Sequence, residues 1–474
     1  MTKRLVSAIL IVVLSFALTA CSQSVKANSG SKGVVTPDNP EQKPEITILA
    51  NIEELEAIKA STPLKNYIEK FQERYGVQIK LQGIGSKNSL YYIGSQIFTD
   101  TSIDQFRKEL AVKLYAEDGP ELIYYRSIPY DALIKQGVVA DVSGKIPNLN
   151  KLHPGLTGKE VYYVPISLRY TAIILNKGEV DSLGVQEPNF SWSKEDFFNL
   201  KKQWLQKNQK TFTSNDYLDL LQEYIFPLKI LSVDQNSASV SNQAVITAIN
   251  NMKQAIFEGE FKLPAGYNYQ NYYNLLFDSQ SEEYTKDREL AAAKEAQTDM
   301  LRNTKKEYKT NALHPIDTSY SFTNEDMLIR PDVLEDKLYI SSEGFLVNKS
   351  GKNIELACEF INGLLEDDVQ LSIYNDQPFP NYPVSKAIDG ELSKIEKEKN
   401  YAPEAIELKN YLLKQVEQGN AALEITKGEK EQEIRWMLVK DLTQFIFVDK
   451  DYNEGELSAE LKKLENKYNI WLSE

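Results

Sequence analysis

Three polar side chains, Ser167, Arg169 and Tyr170, stand between two β-rich runs, Glu160–Val164 and Thr171–Leu175. Val, Tyr and Ile dominate those runs, as strands prefer. Pro165 lacks an N–H and suits a strand end or edge rather than the centre of a sheet. A chain that leaves one strand, shows these side chains and enters another could be crossing between two sheets. A plain hairpin, or a buried strand pair with one exposed Arg, fits the same residues. Asn176-Lys177-Gly178 closes the unit as a turn. Earlier, Tyr124, Tyr125 and Arg126 end the apolar run Glu121–Tyr125. The chemistry open to such groups is non-covalent. Arg donates to hydroxyls or a carboxylate, and Tyr offers a flat apolar face with a polar edge that suits sugar rings and planar ligands. Tyr outnumbers Phe, 27 to 18, so the aromatic load leans towards such ligands.

Catalytic and metal signals are weak. His153 and His314 both precede Pro and cannot build a His-rich metal site. There is no GxSxG, Walker A or GxGxxG pattern, and Gly83–Ser86 (GIGS) lacks the residues for phosphate or acyl chemistry. Acidic residues abound, but nothing singles out a glycosidase carboxylate pair. Asp449–Glu460 approaches a calcium loop, yet Glu454 occupies the place where the sharp turn needs Gly, and an acidic turn before the last helix reads as well. No cofactor and no metal are expected.

The 474 residues carry 42% hydrophobic and 10% aromatic side chains, enough for two or three ordinary domains with real cores. A net charge of −14 argues against binding nucleic acid, which needs a basic face. Lys3 and Arg4 precede an apolar run, Leu5–Ala17, that is too short for a good transmembrane helix. Leu18-Thr19-Ala20-Cys21 follows and reads as a lipobox, which resembles bacterial lipoproteins. That resemblance implies cleavage of residues 1–20 and lipidation of Cys21. An ordinary secretory leader with a chance Cys is the alternative. Residues 21–44, rich in Ser, Asn, Gly, Lys and Pro, read as a flexible tether reaching roughly 25 Å. Cys358 falls on the apolar stripe of a helical segment and reads as a buried, inert thiol.

The elements that must position these residues follow in order. Glu45–Ala50 reads as a strand, Pro63–Tyr75 as a helix closed by Gly76, and Val77–Leu81 as a strand, which makes a βαβ unit with a parallel sheet. Ile103–Ala116 and Tyr130–Gln136 are predicted helices around strand Glu121–Tyr125. Helices are predicted at Lys194–Gln206, Asn215–Leu231, Ala244–Phe257, Glu404–Gln418, Ile434–Val448 and Leu457–Trp471, with a charged helix or insertion at Ser281–Lys306. Lys337–Leu365 reads as strand, turn, strand and helix.

These motifs carry a resemblance. GKxxYxVP with xxLxxNK at Gly158–Lys177 is similar to the crossover segment of the extracellular solute-binding proteins of ABC importers, family 1, which include the maltose and oligosaccharide binders. Gly119–Gly144 resembles that family's GPDII…L…G…DL signature, with Glu121 in place of Asp. Pro188–Trp192 resembles its PxTW turn, and Gln377–Ser385 its last crossing. The family's FxxGKxAM strand has no counterpart; Glu258-Gly259-Glu260-Phe261 and a Tyr/Asn-rich stretch stand there instead.

The resemblance implies an α/β, two-lobed periplasmic-binding-protein-like fold of type II, with two α/β sheets joined by a multi-crossover hinge. One lobe is expected at 45–168 plus 341–383, the other at 169–340 plus 384–474. It implies a monomeric, lipid-anchored, non-enzymatic protein on the extracytoplasmic face that hands a small solute, a sugar by class, to an ABC permease. A surface-anchored sensor or scaffold of the same fold, or a polysaccharide hydrolase, is the alternative. The ligand site is expected at strand carboxyl ends. Tyr125 falls where sugar-binding relatives have an aromatic contact, Arg169 where they have a polar one, and Trp436 roughly where they place a stacking Trp, although a core Trp on that helix reads as well. Tyr124, Arg126, Tyr170, Ser342 and Glu343 complete the expected set. Replacement of the anchoring residue, Cys21→Ala, is expected to release the protein from membranes or leave its leader uncut; fractionation identical to wild type would reject the lipoprotein assignment.

Overall fold

The computed structural model describes residues 43–85, 100–116, 118–126, 130–208, 217–257, 315–317, 327–333, 337–375, 382–399, 403–426, 428–447 and 452–473. The expected tether, the charged stretch Ser281–Lys306 and Asp449–Asp451 of the acidic loop lie outside them.

The first described elements form the expected βαβ unit. Strand β1 (Glu45–Asn51) leads through α1 (Ile52–Ala60) and α2 (Thr62–Tyr75) to β2 (Gln78–Ile84), parallel to β1. Helix α2 starts where Ser61 Oγ accepts from the Leu64 N–H and stops at Gly76, whose φ of 65° is open to a residue without Cβ. Helix α3 (Asp100–Leu114) then leads to β3 (Leu122–Tyr125), which lies parallel to β1 on its other side. Helix α4 (Asp131–Lys135) follows.

The two β-rich runs of the crossover segment form one strand, β4 (Tyr163–Asn176), rather than two. The expected strand–turn–strand of Lys337–Leu365 is likewise a single strand, β9 (Leu338–Val347), leading to α9 (Ile354–Leu364). Ser341-Ser342-Glu343 invites a turn on composition, but both of its flanks pair antiparallel with β4, from Tyr163↔Leu346 to Tyr170↔Ile340. Ladder hydrogen bonds on both sides override the local preference.

The second half of β4 leaves β9 and pairs with β7 (Pro315–Asp317) and β8 (Met327–Pro331). Strand β4 is therefore common to two sheets, in the order β2-β1-β3-β9-β4-β7 with β8 on β4 and β10 (Ala421–Leu423) on β9. Helices α5 (Lys177–Leu183) and α6 (Lys194–Asn208) pack on the β8 side, where the Trp192 indole donates to Pro331 O at 3.0 Å. The predicted helix Asn215–Leu231 stops early, as α7 (Tyr217–Tyr224). Pro227 denies it a donor, and β5 (Leu231–Ser232) pairs with β6 (Ser237–Ala238).

One core cluster joins the β1–β3 and β9 region with Leu408, Leu412 and Val416 of α12 (Pro403–Glu417) and with Leu392 of α11 (Asp389–Glu398). Cys358 is buried in it, and burial pushes its thiol up. Among the described residues, a second cluster draws on 220–252 and 434–472, that is α7, α8 (Gln243–Phe257), α13 (Glu429–Ile446) and α14 (Glu454–Ser473). No helix among the described residues is long and apolar enough to cross a membrane.

Glu465 of α14 ties the second cluster together. It is buried, pairs with Lys462, and accepts from Ser241 N at 3.0 Å and Ser241 Oγ at 2.7 Å, just before α8. Burial pushes its carboxyl up, but Lys462 and the two Ser241 donors outweigh that and hold it at about 2. A depressed carboxyl stabilises the fold above its unfolded pKa near 4.5 and loses that contribution as pH falls towards about 2. Glu465→Gln is expected to cost up to about 3 kcal/mol at neutral pH and to flatten the acid limb of the stability curve, as read by urea midpoints from pH 7 to 2.5. An unchanged acid limb would remove Glu465 from that role.

Candidate functional site

The carboxyl ends of two strands point at each other across one edge of β9. Strand β3 runs antiparallel to β9 and ends with Tyr125 opposite Gly344. Strand β10 runs parallel to β9 on the same edge and ends with Leu423 opposite Ile340. Ser341, Ser342 and Glu343 lie between, a gap of roughly 13 Å along the strand. Loops beyond strand carboxyl ends are where α/β sheets bind ligands, because backbone pairing stops there and side chains are exposed.

Alternation along β9 sorts the site onto two faces. On one face stands Glu343, 7% exposed. Its Oε1 meets Arg169 Nη2 at 2.6 Å and Arg126 Nε at 3.5 Å. Its Oε2 accepts from Tyr124 OH at 2.7 Å and Ser167 Oγ at 3.5 Å. A buried carboxylate is tolerable only with such partners. Burial, then the charge of Glu343, push the Tyr124 phenol well up against the opposing pull of Arg126, so it stays a neutral donor. Arg169 and Arg126 keep 23% and 27% of their side chains exposed. Ser341 Oγ donates to Glu424, just past β10.

On the other face, Tyr163 OH lies 3.1 Å from Ser342 Oγ and donates to Tyr125 O at 3.4 Å. The Tyr163 ring stacks on Tyr130 with centroids 5.6 Å apart. Burial and the nearby Asp131 push the Tyr130 phenol to about 12. Beside these rings opens a cavity of about 390 Å³, lined also by Glu160, Tyr162, Lys337 and Thr426. That volume falls within the range of small-molecule sites.

Of the expected residues, the fold brings together Tyr124, Arg126, Arg169 and Glu343, while Ser342 meets Tyr163 on the other face. Tyr125 lies at the same strand end but is 3% exposed, its ring 6.3 Å from Phe106. Tyr170 is buried, its ring 4.8 Å from that of Tyr382. Trp436 sits on α13, with its side chain outside the described residues. Sequence reasoning missed Tyr130, Tyr163 and Glu424, and it weighed Ser167 without placing it in the ligand set. Parity alone would have put Tyr163 on the face of Arg169. A bulge between Pro165 and Ser167 shifts the register, so Tyr163 and Arg169 face opposite sides although six residues apart.

No family model matches the chain, and no curated protein matches it in sequence. Solved structures do match. A putative oligosaccharide periplasmic-binding protein from Synechococcus sp. shares 10% identity at a TM-score of 0.54, over 90% of this chain and 99% of that one. The bacterial solute receptor AcbH, described as having an exclusive preference for β-D-galactopyranose, shares 13% at 0.52, over 91% and 99%. An ABC substrate-binding protein from Listeria monocytogenes, solved with cycloalternan, shares 13% at 0.50, over 91% and 100%. The fold is that of the ABC substrate-binding proteins. Such folds are two-lobed, and the shared strand β4 is the feature here that joins the two sheets.

Gly344 of this substrate-binding-protein fold faces Tyr163. A Cβ there would lie 2.2 Å from Val164 O and 2.7 Å from the Tyr163 ring. Backbone cannot yield cheaply inside a central strand. Gly344→Ala is expected to cost about 1–3 kcal/mol in urea denaturation and to turn Tyr163 off Ser342; a stability within error of wild type would contradict this packing.

Proposed function

We propose that the chain is the solute-binding component of an ABC importer, that its solute is a carbohydrate, and that Cys21 anchors it by lipid to the extracytoplasmic face of the membrane. In this reading one lobe holds residues 45–168 and 341–383 and the other 169–340 and 384–474. The lobes close on the solute by hinge bending, and the closed form docks on the permease. Solved substrate-binding proteins with this fold include one in complex with cycloalternan and one that prefers β-D-galactopyranose.

The observation that carries the reading is the Arg126–Glu343–Arg169 cluster between the carboxyl ends of β3 and β10. A buried carboxylate with both oxygens occupied holds two guanidinium groups on one face of β9, and a tyrosine-lined cavity opens on the other. Donors for hydroxyls and rings for an apolar face are the groups that a polyol ligand needs. The lobe assignment draws support from the cluster that, among the described residues, is built from 220–252 and 434–472. It also draws support from Leu168, which pairs with Ser342 on one edge and with Tyr382 on the other. Helix α12 has Leu408, Leu412 and Val416 in the main core and Glu404 paired to Arg330 of β8 at 3.1 Å.

A thermal-shift screen of mono- and oligosaccharides tests the reading, since a ligand that binds the folded state raises its stability by mass action. At least one sugar is expected to raise the Tm and to be recovered unchanged. Calorimetry with that sugar is then expected to lose about ten- to a hundredfold in affinity with Arg169→Ala and a similar amount with Tyr130→Ala. Unchanged affinity in both, with the fold intact, would put the cleft elsewhere. Release of hydrolysis products would replace transport with polysaccharide hydrolysis.

A further inference from the structure

Backbone groups from three separate segments end on one side chain. Gln370 of α10 (Asp367–Asn375) is 0% exposed. Its Nε2 donates to Ile166 O at 3.0 Å and to Leu364 O at 2.9 Å, and its Oε1 accepts from Val384 N at 2.9 Å. An amide has two donor hydrogens and one acceptor oxygen, so a single side chain meets all three needs. Each partner is a group that regular structure leaves over. Leu364 ends α9, where carbonyls lack a helical partner. Ile166 is the extra residue of the β4 bulge, between the pairs Pro165↔Gly344 and Ser167↔Glu343. Val384 belongs to the strip Tyr382–Ser385, which exchanges backbone bonds with Leu168 at 2.8 and 2.9 Å and receives the His153 N–H at 3.0 Å.

We infer that Gln370 is the positioning residue of the hinge. It pins the β4 bulge and the returning strip to one lobe, so closure rotates about the residues beyond them and carries Arg169, three residues after the bulge, on a fixed pivot. The inference rests on the proposed closure of the two lobes on a solute. Gln370 touches no solute; it acts through the strands it fixes. Its burial makes an accidental role unattractive, because a buried polar group persists only when it is satisfied, and an apolar residue there would orphan two carbonyls and one N–H.

The test reads interlobe distance without any solute. Spin labels on Glu73→Cys in α2 and Lys463→Cys in α14, both exposed positions, report the lobes in a Cys21→Ala chain. With Gln370 present, the distance distribution is expected to be narrow. With Gln370→Met, of similar size but unable to make the three bonds, it is expected to be about twofold wider. Gln370→Glu keeps the acceptor for Val384 and loses both donors when ionised; it is expected to widen the distribution too, and it decides the question by the same criterion if the Met variant does not fold. A distribution unchanged in width, even with a lowered Tm, would reduce Gln370 to a satisfied core amide and overturn the inference. Because no sugar enters the comparison, failure to find a ligand does not alter its outcome.

Discussion

The antiparallel ladder between β4 and β9 is the constraint on which the rest depends. Both strands are longer than any single sheet here requires, ten residues for β9 and fourteen for β4. The first half of β4 belongs with β9 and the second half with β7 and β8. A strand shared this way transmits orientation between two sheets through its own stiffness. Its one interruption, at Ile166, is where a buried amide takes up the freed carbonyl. The bulge also turns Ser167 and Arg169 to the face of Glu343 while Tyr163 keeps to the other.

Charge placement follows from that geometry. Glu343 is carried into the interior by a strand whose position is set elsewhere, and burial of an unpaired carboxylate costs several kcal/mol. Two guanidinium groups, a phenol and a hydroxyl reduce that cost. Arginine serves here because its planar fork donates in several directions at once, so a guanidinium that holds Glu343 can meet further partners as well. The charged face is thus rigid where it touches β9 and polar where it meets the gap. The tyrosine face supplies the apolar counterpart.

Much of this was legible in the sequence. Leu122–Tyr125 is a run of four buried residues, and the polar residues after it mark its end. Ser61, Pro63 and Gly76 announce α2 at both ends. Arg126, Arg169 and Glu343 could be chosen as polar residues at strand ends or crossings. Their mutual pairing was not legible, because it joins residues up to 217 positions apart through a register that sequence does not print. For the same reason Tyr125 looked like the ring to present, whereas the pleat turns it into the core and leaves Tyr130, behind a Pro, beside the cavity. The two long strands were read as broken ones because Pro165 and Ser341-Ser342-Glu343 carry turn-like composition that the ladder overrides.

Hydrogen–deuterium exchange with and without a sugar that stabilises the protein tests the central claim most directly, since it reports where the solute sits. Slowed exchange is predicted in Leu338–Val347 and Ala421–Thr426, the edge of β9 and the strand end facing it, with smaller changes on the remote α14. Protection confined to α13 and α14, with the β9 edge exchanging as before, would contradict a cleft at Ser341–Glu343.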